Sequence, residues 1–115
     1  MYQLSYAEHL EDDSLSCRER ERFAMQQALD LLETAKAEGI GTLACIEALS
    51  YLSRLWTVLL EDLANDDNGL PNVVRADLLS VGIWILKECE AIQKGTSQNV
   101  DGLINICMII KDGLK

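Results

Sequence analysis

The sequence predicts an all-α protein, a small bundle of four main helices in a single domain that spans residues 1–115. Apolar residues recur at three- and four-residue intervals along most of the chain, which is the period of an amphipathic helix. Pro71 is the only proline, so little interrupts long helices. Turns that contain glycine separate the periodic stretches, and such short connections favour antiparallel neighbours. With 49% hydrophobic residues, the chain can fill one modest core.

The first main helix is expected to begin at a capping box, residues 16–19, in which Ser16 and Glu19 satisfy free backbone amides. Gly39 suits its end, because glycine readily adopts the positive φ that follows many helices. Its apolar stripe comprises Met25, Ala28, Leu29, Leu32 and Ala35. Residues 2–12 suggest a short additional N-terminal helix that uses Tyr2, Tyr6 and Leu10.

Thr42 is the expected N-cap of the second helix, which should end near Ala64 before the polar turn at 65–69. Its stripe comprises Ile46, Leu49, Leu52, Trp56, Leu59, Leu60 and Leu63.

The third helix is expected to start at Pro71, whose φ suits a first helical turn, and to run to about Lys94 before Gly95. Apolar residues occupy most of its sides, which favours a central position in the bundle. The fourth helix has candidate caps at 96–99 and an end at Gly113. Its stripe comprises Val100, Leu103, Ile104, Cys107, Ile110 and Leu114.

The uncharged run at residues 78–86 is too short to cross a membrane, which takes about 20 apolar residues. The N-terminus, MYQLSYAEHLEDD, has no basic region and no continuous apolar stretch, so it is not predicted to be a secretory signal. We therefore expect a cytoplasmic protein.

The net charge of −9 disfavours binding to nucleic acids and to anionic membranes. Arg18, Arg20 and Arg22 form the one basic cluster, but they alternate with glutamates, which is typical of a solvated helix face.

The residues offer no organised site for catalysis, a cofactor or a metal ion, and we expect a protein that is not an enzyme. His9 is the only histidine, and the four cysteines contain no CxxC pair, so they are expected to be reduced. The acidic turn at 65–69 fails as a calcium loop, because Ala64 and Arg75 would occupy its first and last ligand positions.

The four helices carry more large apolar side chains than one small bundle needs. Trp56 and Trp84 stand out, because tryptophan is frequent both in cores and at binding hot spots. This surplus predicts a groove for a partner helix or, as the alternative, the seam of a homodimer.

Several short segments, taken in order, resemble one family along essentially the whole chain. They are YQLSYAE at 2–8, RERE at 18–21, RLW at 54–56, LEDL at 60–63, NGLP at 68–71, RADL at 75–78, GIW at 82–84 and IIKDGL at 109–114. Their order and spacing resemble the flagellar biosynthesis regulator FlaF family of alphaproteobacteria.

The resemblance implies a non-enzymatic cytoplasmic protein of flagellum biogenesis and motility. Members act on flagellin as a secretion chaperone or as a regulator of its synthesis, alongside FlbT, which controls translation of flagellin mRNA. Combined with the apolar surplus, this predicts a groove that shelters the amphipathic terminal helices of flagellin. The expected partner-binding residues are Arg54, Trp56, Leu59, Leu60, Arg75, Trp84, Ile106, Ile109 and Ile110.

The alternative is a post-transcriptional adaptor that acts with FlbT on flagellin mRNA translation without chaperoning flagellin. The net charge of −9 disfavours direct contact with RNA in that role as well.

Overall fold

The computed structural model describes the backbone of residues 10–65 and 67–113, and the side chains of this range from Glu19 onward. It contains four α-helices, which are α1 Leu10–Glu38, α2 Leu43–Ala64, α3 Asn72–Lys94 and α4 Val100–Asp112. No strand occurs among these described residues. The predicted all-α bundle is confirmed.

The start of α1 differs from the prediction. The helix begins at Leu10, six residues before the expected capping box, so Ser16 lies inside it. The predicted short helix over residues 2–12 lies largely outside the described residues, and its last three residues belong to α1.

Most of the other helix ends follow from local chemistry, as predicted, and only the start of α3 is shifted by one residue. Gly39 and Gly95 take the positive φ values of 108° and 83° that end α1 and α3. Thr42 Oγ1 accepts a hydrogen bond from the Cys45 amide at 3.3 Å, and Asn99 accepts one from the Gly102 amide. Pro71 is the N-cap of α3 and not its first helical residue, because its ψ of 147° is extended.

Each helix runs antiparallel to its neighbours, but the four contacts are unequal. Helix α1 packs against both α2 and α4, and α2 packs against α3, whereas α3 and α4 touch only sparsely. The largest fully buried side chains are Trp56, Met25, Leu32, Leu49, Leu52, Ile85 and Leu103. The core therefore lies around α2, and the seam between α3 and α4 is the open side.

Gly82 sets the close approach of α2 and α3. A Cβ atom at this position would lie 2.6 Å from Leu60 Cδ2 and 2.8 Å from Trp56 Cε3, both nearer than ordinary van der Waals contact. The missing side chain lets α3 rest directly on these two residues of α2.

Three cysteines, Cys45, Cys89 and Cys107, are free thiols buried in the core, one each on α2, α3 and α4. Burial raises the pKa of Cys107 to about 12 and also raises the pKa of Cys89. Thiols in this state are protonated and behave as small hydrophobic side chains.

Helix α2 is the one helix in the described part of the chain that is long and apolar enough to cross a membrane. The sequence argument considered only residues 78–86 and missed it. One face of α2 supplies Leu49, Leu52 and Trp56 to the core, and core helices of small bundles pass the same test of length and composition.

Candidate helix-binding cleft

Many large apolar side chains remain exposed, as the sequence predicted. Single exposed apolar residues are ordinary on protein surfaces, so their grouping decides whether they form a site. Those at least 40% exposed are Phe23, Ile40, Leu43, Ile46, Val58, Leu70, Val73, Val74, Ile83, Trp84, Met108 and Ile109. Two of them, Leu70 and Val74, line the cleft described below.

Contacts at the ends of α4 hold it against α1. Lys111 Nζ donates to Gln26 Oε1 at 2.8 Å, and Lys36 forms an ion pair with Asp101 at 2.8 Å. The hydrogen bond to Asp101 raises the pKa of Lys36, which stays charged at neutral pH. Because α4 leans on α1, its opposite flank is free to face the seam.

The flank of α3 that faces the seam carries Trp84. Gly82 and Arg75 mark the other flank, which contacts α2. Glu88 accepts a hydrogen bond of 2.6 Å from Ser97 in the loop that leads to α4, so Glu88 marks the side that faces α4. Trp84 precedes Glu88 by one helical turn and lies on that same side, 41% exposed.

Isoleucines lie on the side of α4 away from α1. At about 100° per residue, Ile106 and Ile109 lie roughly opposite Lys111, which contacts α1. Ile106 is half-buried and Ile109 is 64% exposed. Ile106 also packs against the core.

The seam widens into a cleft of about 370 Å³ at the end where α2 finishes and α3 begins. All four helices contribute to it. Its lining comprises Glu21, Met25, Trp56, Leu59, Asp62, Leu63, Asn68, Leu70, Val74, Leu78, Ile110 and Gly113. The cleft combines an apolar interior with a few polar groups, which is typical of a recognition site.

The polar groups of the cleft are acidic or uncharged. Glu21 and Asp62 supply two carboxylates, and Asn68 Nδ2 donates to Asp62 Oδ2 at 2.8 Å. Both carboxylates contribute to the overall charge of −9. This charge favours an occupant with positive residues beside its apolar face.

Trp56 lies in the lining of the cleft, and only 1% of its surface is exposed. Its indole Nε1 is the one buried side-chain nitrogen or oxygen without a hydrogen-bond partner among the described residues. A buried donor without an acceptor is rare and costly in native proteins.

The structure brings three of the nine predicted partner-binding residues together. Trp56, Leu59 and Ile110 line the cleft. Trp84 on α3 and Ile109 on α4 are exposed, and Ile106 packs against the core.

The remaining three predicted residues lie elsewhere. Leu60 packs at the α2–α3 contact under Gly82, and Arg54 is exposed on the outer side of α2. Arg75 Nε donates to the Leu63 carbonyl at 3.0 Å, so its side chain ties α3 to the end of α2.

Sequence reasoning missed several lining residues. Met25 was assigned to the stripe of the first helix and Leu78 to the uncharged run at 78–86, but neither pattern showed that α1 and α3 share one cleft. Val74 and Leu70 gave no periodic signal, since they lie at the start of α3 and in the turn before it.

The cleft has groups suited to non-covalent binding. Among the described residues, no group of three or more histidine, cysteine, aspartate or glutamate side chains is placed to hold a metal ion. The cleft can enclose apolar side chains, offer one indole donor and attract positive charge.

Comparison with known proteins identifies the family. The family model for flagellar protein FlaF matches residues 2–114, which is nearly the whole chain. No curated protein and no solved structure matches the chain. The chain therefore belongs to the FlaF family of flagellar proteins.

Proposed function

We propose that this protein binds flagellin in the cytoplasm by docking one of its amphipathic terminal helices in the α3–α4 seam. Binding would support secretion of flagellin and filament assembly, or regulate flagellin synthesis. The observation that carries the proposal is the open apolar seam, which ends in a cleft of about 370 Å³.

The length of α4 limits a helix docked alongside it to a few turns. Helix α4 has 13 residues, which corresponds to about 20 Å at about 1.5 Å per residue. A partner helix of three to four turns would cover that length. Its apolar face would contact Trp84 and Ile109 on the flanks and enter the cleft above Trp56, in the helix-in-groove mode.

Membership of a flagellar family narrows the class of partner. Flagellin fits this role because its terminal helices are amphipathic and stay unassembled before export. Their apolar faces need cover in the cytoplasm, and the net charge of −9 helps keep the complex soluble.

Size-exclusion chromatography of the purified protein with flagellin from the same organism tests the proposal. Full-length flagellin should co-elute with the protein, and flagellin that lacks the bound terminus should not. Ile109→Asp should weaken binding at least tenfold, because it places a charge in the apolar seam.

Leu43→Asp is the matched control. Leu43 is 69% exposed, close to the 64% of Ile109, but it lies at the opposite end of the bundle at the start of α2. This variant should bind like the wild type. Equal loss of binding in both variants would show that the seam is not the site.

The same experiment also tests the alternative role, that of a regulatory adaptor. If no form of flagellin co-elutes while FlbT or flagellin mRNA does, the protein acts as a regulatory adaptor. Direct binding to mRNA would fall steeply with salt, whereas binding in an apolar groove would change little.

A further inference from the structure

Trp56 combines two properties that core tryptophans seldom share. It is almost completely buried, yet its Nε1–H has no acceptor among the residues that the structure describes, and it lies in the wall of a cleft. Most buried indole donors are paired. An unpaired donor at a binding site is explained if the occupant provides the acceptor.

The orientation of the Trp56 ring directs Nε1 away from Gly82 on α3. The Cε3 edge of the indole faces Gly82, since a Cβ there would lie 2.8 Å from Cε3. Nε1 belongs to the opposite edge of the ring, which faces away from this contact. The apolar lining residues Met25 and Ile110 supply no oxygen acceptor in their side chains.

The charge of the cleft restricts the acceptor. A carboxylate from the occupant would face Glu21 and Asp62, and it would lose its hydration in the apolar interior. An amide carbonyl carries no net charge and costs less to bury. Glutamine carries such a carbonyl at the end of a flexible apolar stem.

We propose that the helix docked in the seam inserts a glutamine side chain into the cleft, where its carbonyl oxygen accepts a hydrogen bond from Trp56 Nε1–H. This inference rests on the proposed function and specifies the chemistry of the helix that it binds. The same helix carries a lysine or arginine one turn away, opposite the carboxylates of Glu21 and Asp62. Leu59 and Ile110, which are half-buried, change rotamer to admit the glutamine.

Nuclear magnetic resonance of the ¹⁵N-labelled protein tests the proposal directly. The chain has two tryptophans, so it gives two indole N–H signals, and a Trp84→Phe variant identifies the one from Trp56. Titration with flagellin should move the Trp56 signal downfield, because the proton gains an acceptor. A glutamine-to-leucine scan of the bound terminal helix should find one position that abolishes this shift.

Affinity measurements give a second readout. Trp56→Phe removes the donor but keeps an aromatic ring in the wall, and it should weaken flagellin binding about five- to tenfold. Trp84→Phe should have a smaller effect, since the indole of Trp84 is 41% exposed and can bond to water. If Trp56→Phe does not fold, the indole N–H signal of Trp56 in the wild-type protein still tests the proposal.

The outcomes separate the two proposals. If flagellin binds and perturbs α3 and α4 while the Trp56 signal stays in place, the donor role is wrong and the proposed function stands. If flagellin does not bind at all, both are wrong. If the signal moves with protein concentration alone, a second copy of this chain fills the cleft, and the assignment of a partner glutamine is overturned.

Discussion

Gly82→Ala should destabilise the protein, although alanine is the better helix former. In an exposed helical position, this substitution stabilises by about 1 kcal/mol. Gly82 is buried, however, and an added methyl group would lie 2.6 Å from Leu60 Cδ2 and 2.8 Å from Trp56 Cε3. Either α3 moves away from α2 or both side chains shift.

The expected change in the free energy of unfolding is the cost of overpacking minus the gain in helix propensity. Overpacking a core typically costs about 1–3 kcal/mol, and two close contacts indicate the upper part of that range. Trp56 is 1% exposed and has little room to move, whereas the end of Leu60 can rotate. After the gain in helix propensity, we expect a net loss of about 1–2 kcal/mol in the free energy of unfolding.

Urea unfolding followed by far-ultraviolet circular dichroism measures this change. The midpoint should fall without a change in slope, since the folded and unfolded surfaces stay similar. Ser80→Ala is the control, because Ser80 is exposed on the same helix and should show a gain of a few tenths of a kcal/mol.

A double-mutant cycle locates the clash. Leu60→Ala removes the nearest contact, so Gly82→Ala should cost at least about 0.5 kcal/mol less in that background than in the wild type. If Gly82→Ala were as stable as the wild type, or if the two substitutions were additive, the close approach of α2 and α3 would not be set by Gly82.

Three further predictions concern the rest of the bundle. Thr42→Ala should cost about 1 kcal/mol, because the hydroxyl caps α2 at the Cys45 amide. Raising the pH from 8 to 10.5 should cost about 2 kcal/mol at Cys107, because the folded pKa of about 12 exceeds the ordinary 9.0, so the unfolded thiol ionises first. Stability from Cys107 is complete below pH 9 and is lost as the pH rises towards 12. Lys111→Met should cost about 0.5–1.5 kcal/mol through the lost hydrogen bond to Gln26.

Urea midpoints measure all three effects, and each has a control. Thr42→Ser should retain most of the stability, because serine keeps the capping hydroxyl. Cys107→Val should reduce the fall in stability above pH 9, and an unchanged pH profile would contradict the assignment. Lys94→Met removes a cation paired only with Glu90 in the same exposed helix turn, so an equal loss there would contradict a special role for Lys111.

The helix ends could be predicted because their causes are local. Gly39 and Gly95 needed positive φ, and Thr42 offered a cap, all within a few residues of the chain. The start of α1 was predicted wrongly for a related reason. The capping-box pattern at 16–19 does not exclude a helix that begins earlier in the chain, and α1 begins at Leu10.

The cleft was predicted only in part, because it depends on which helices touch. Leu59 and Leu60 are neighbours on one apolar stripe, yet Leu59 lines the cleft and Leu60 packs under Gly82. The sequence does not show that α4 leans on α1 and leaves α3 uncovered. The missing acceptor of Trp56 likewise emerges only when the surrounding side chains are in place.

The three buried thiols can report when individual helices leave the core. Each of Cys45, Cys89 and Cys107 belongs to a different helix, and each is shielded from reagents while its helix stays in place. A brief pulse of an alkylating agent would therefore mark a cysteine only when that helix leaves the core. Mass spectrometry of the alkylated peptides would then give the order in which α2, α3 and α4 detach, without the introduction of new cysteines.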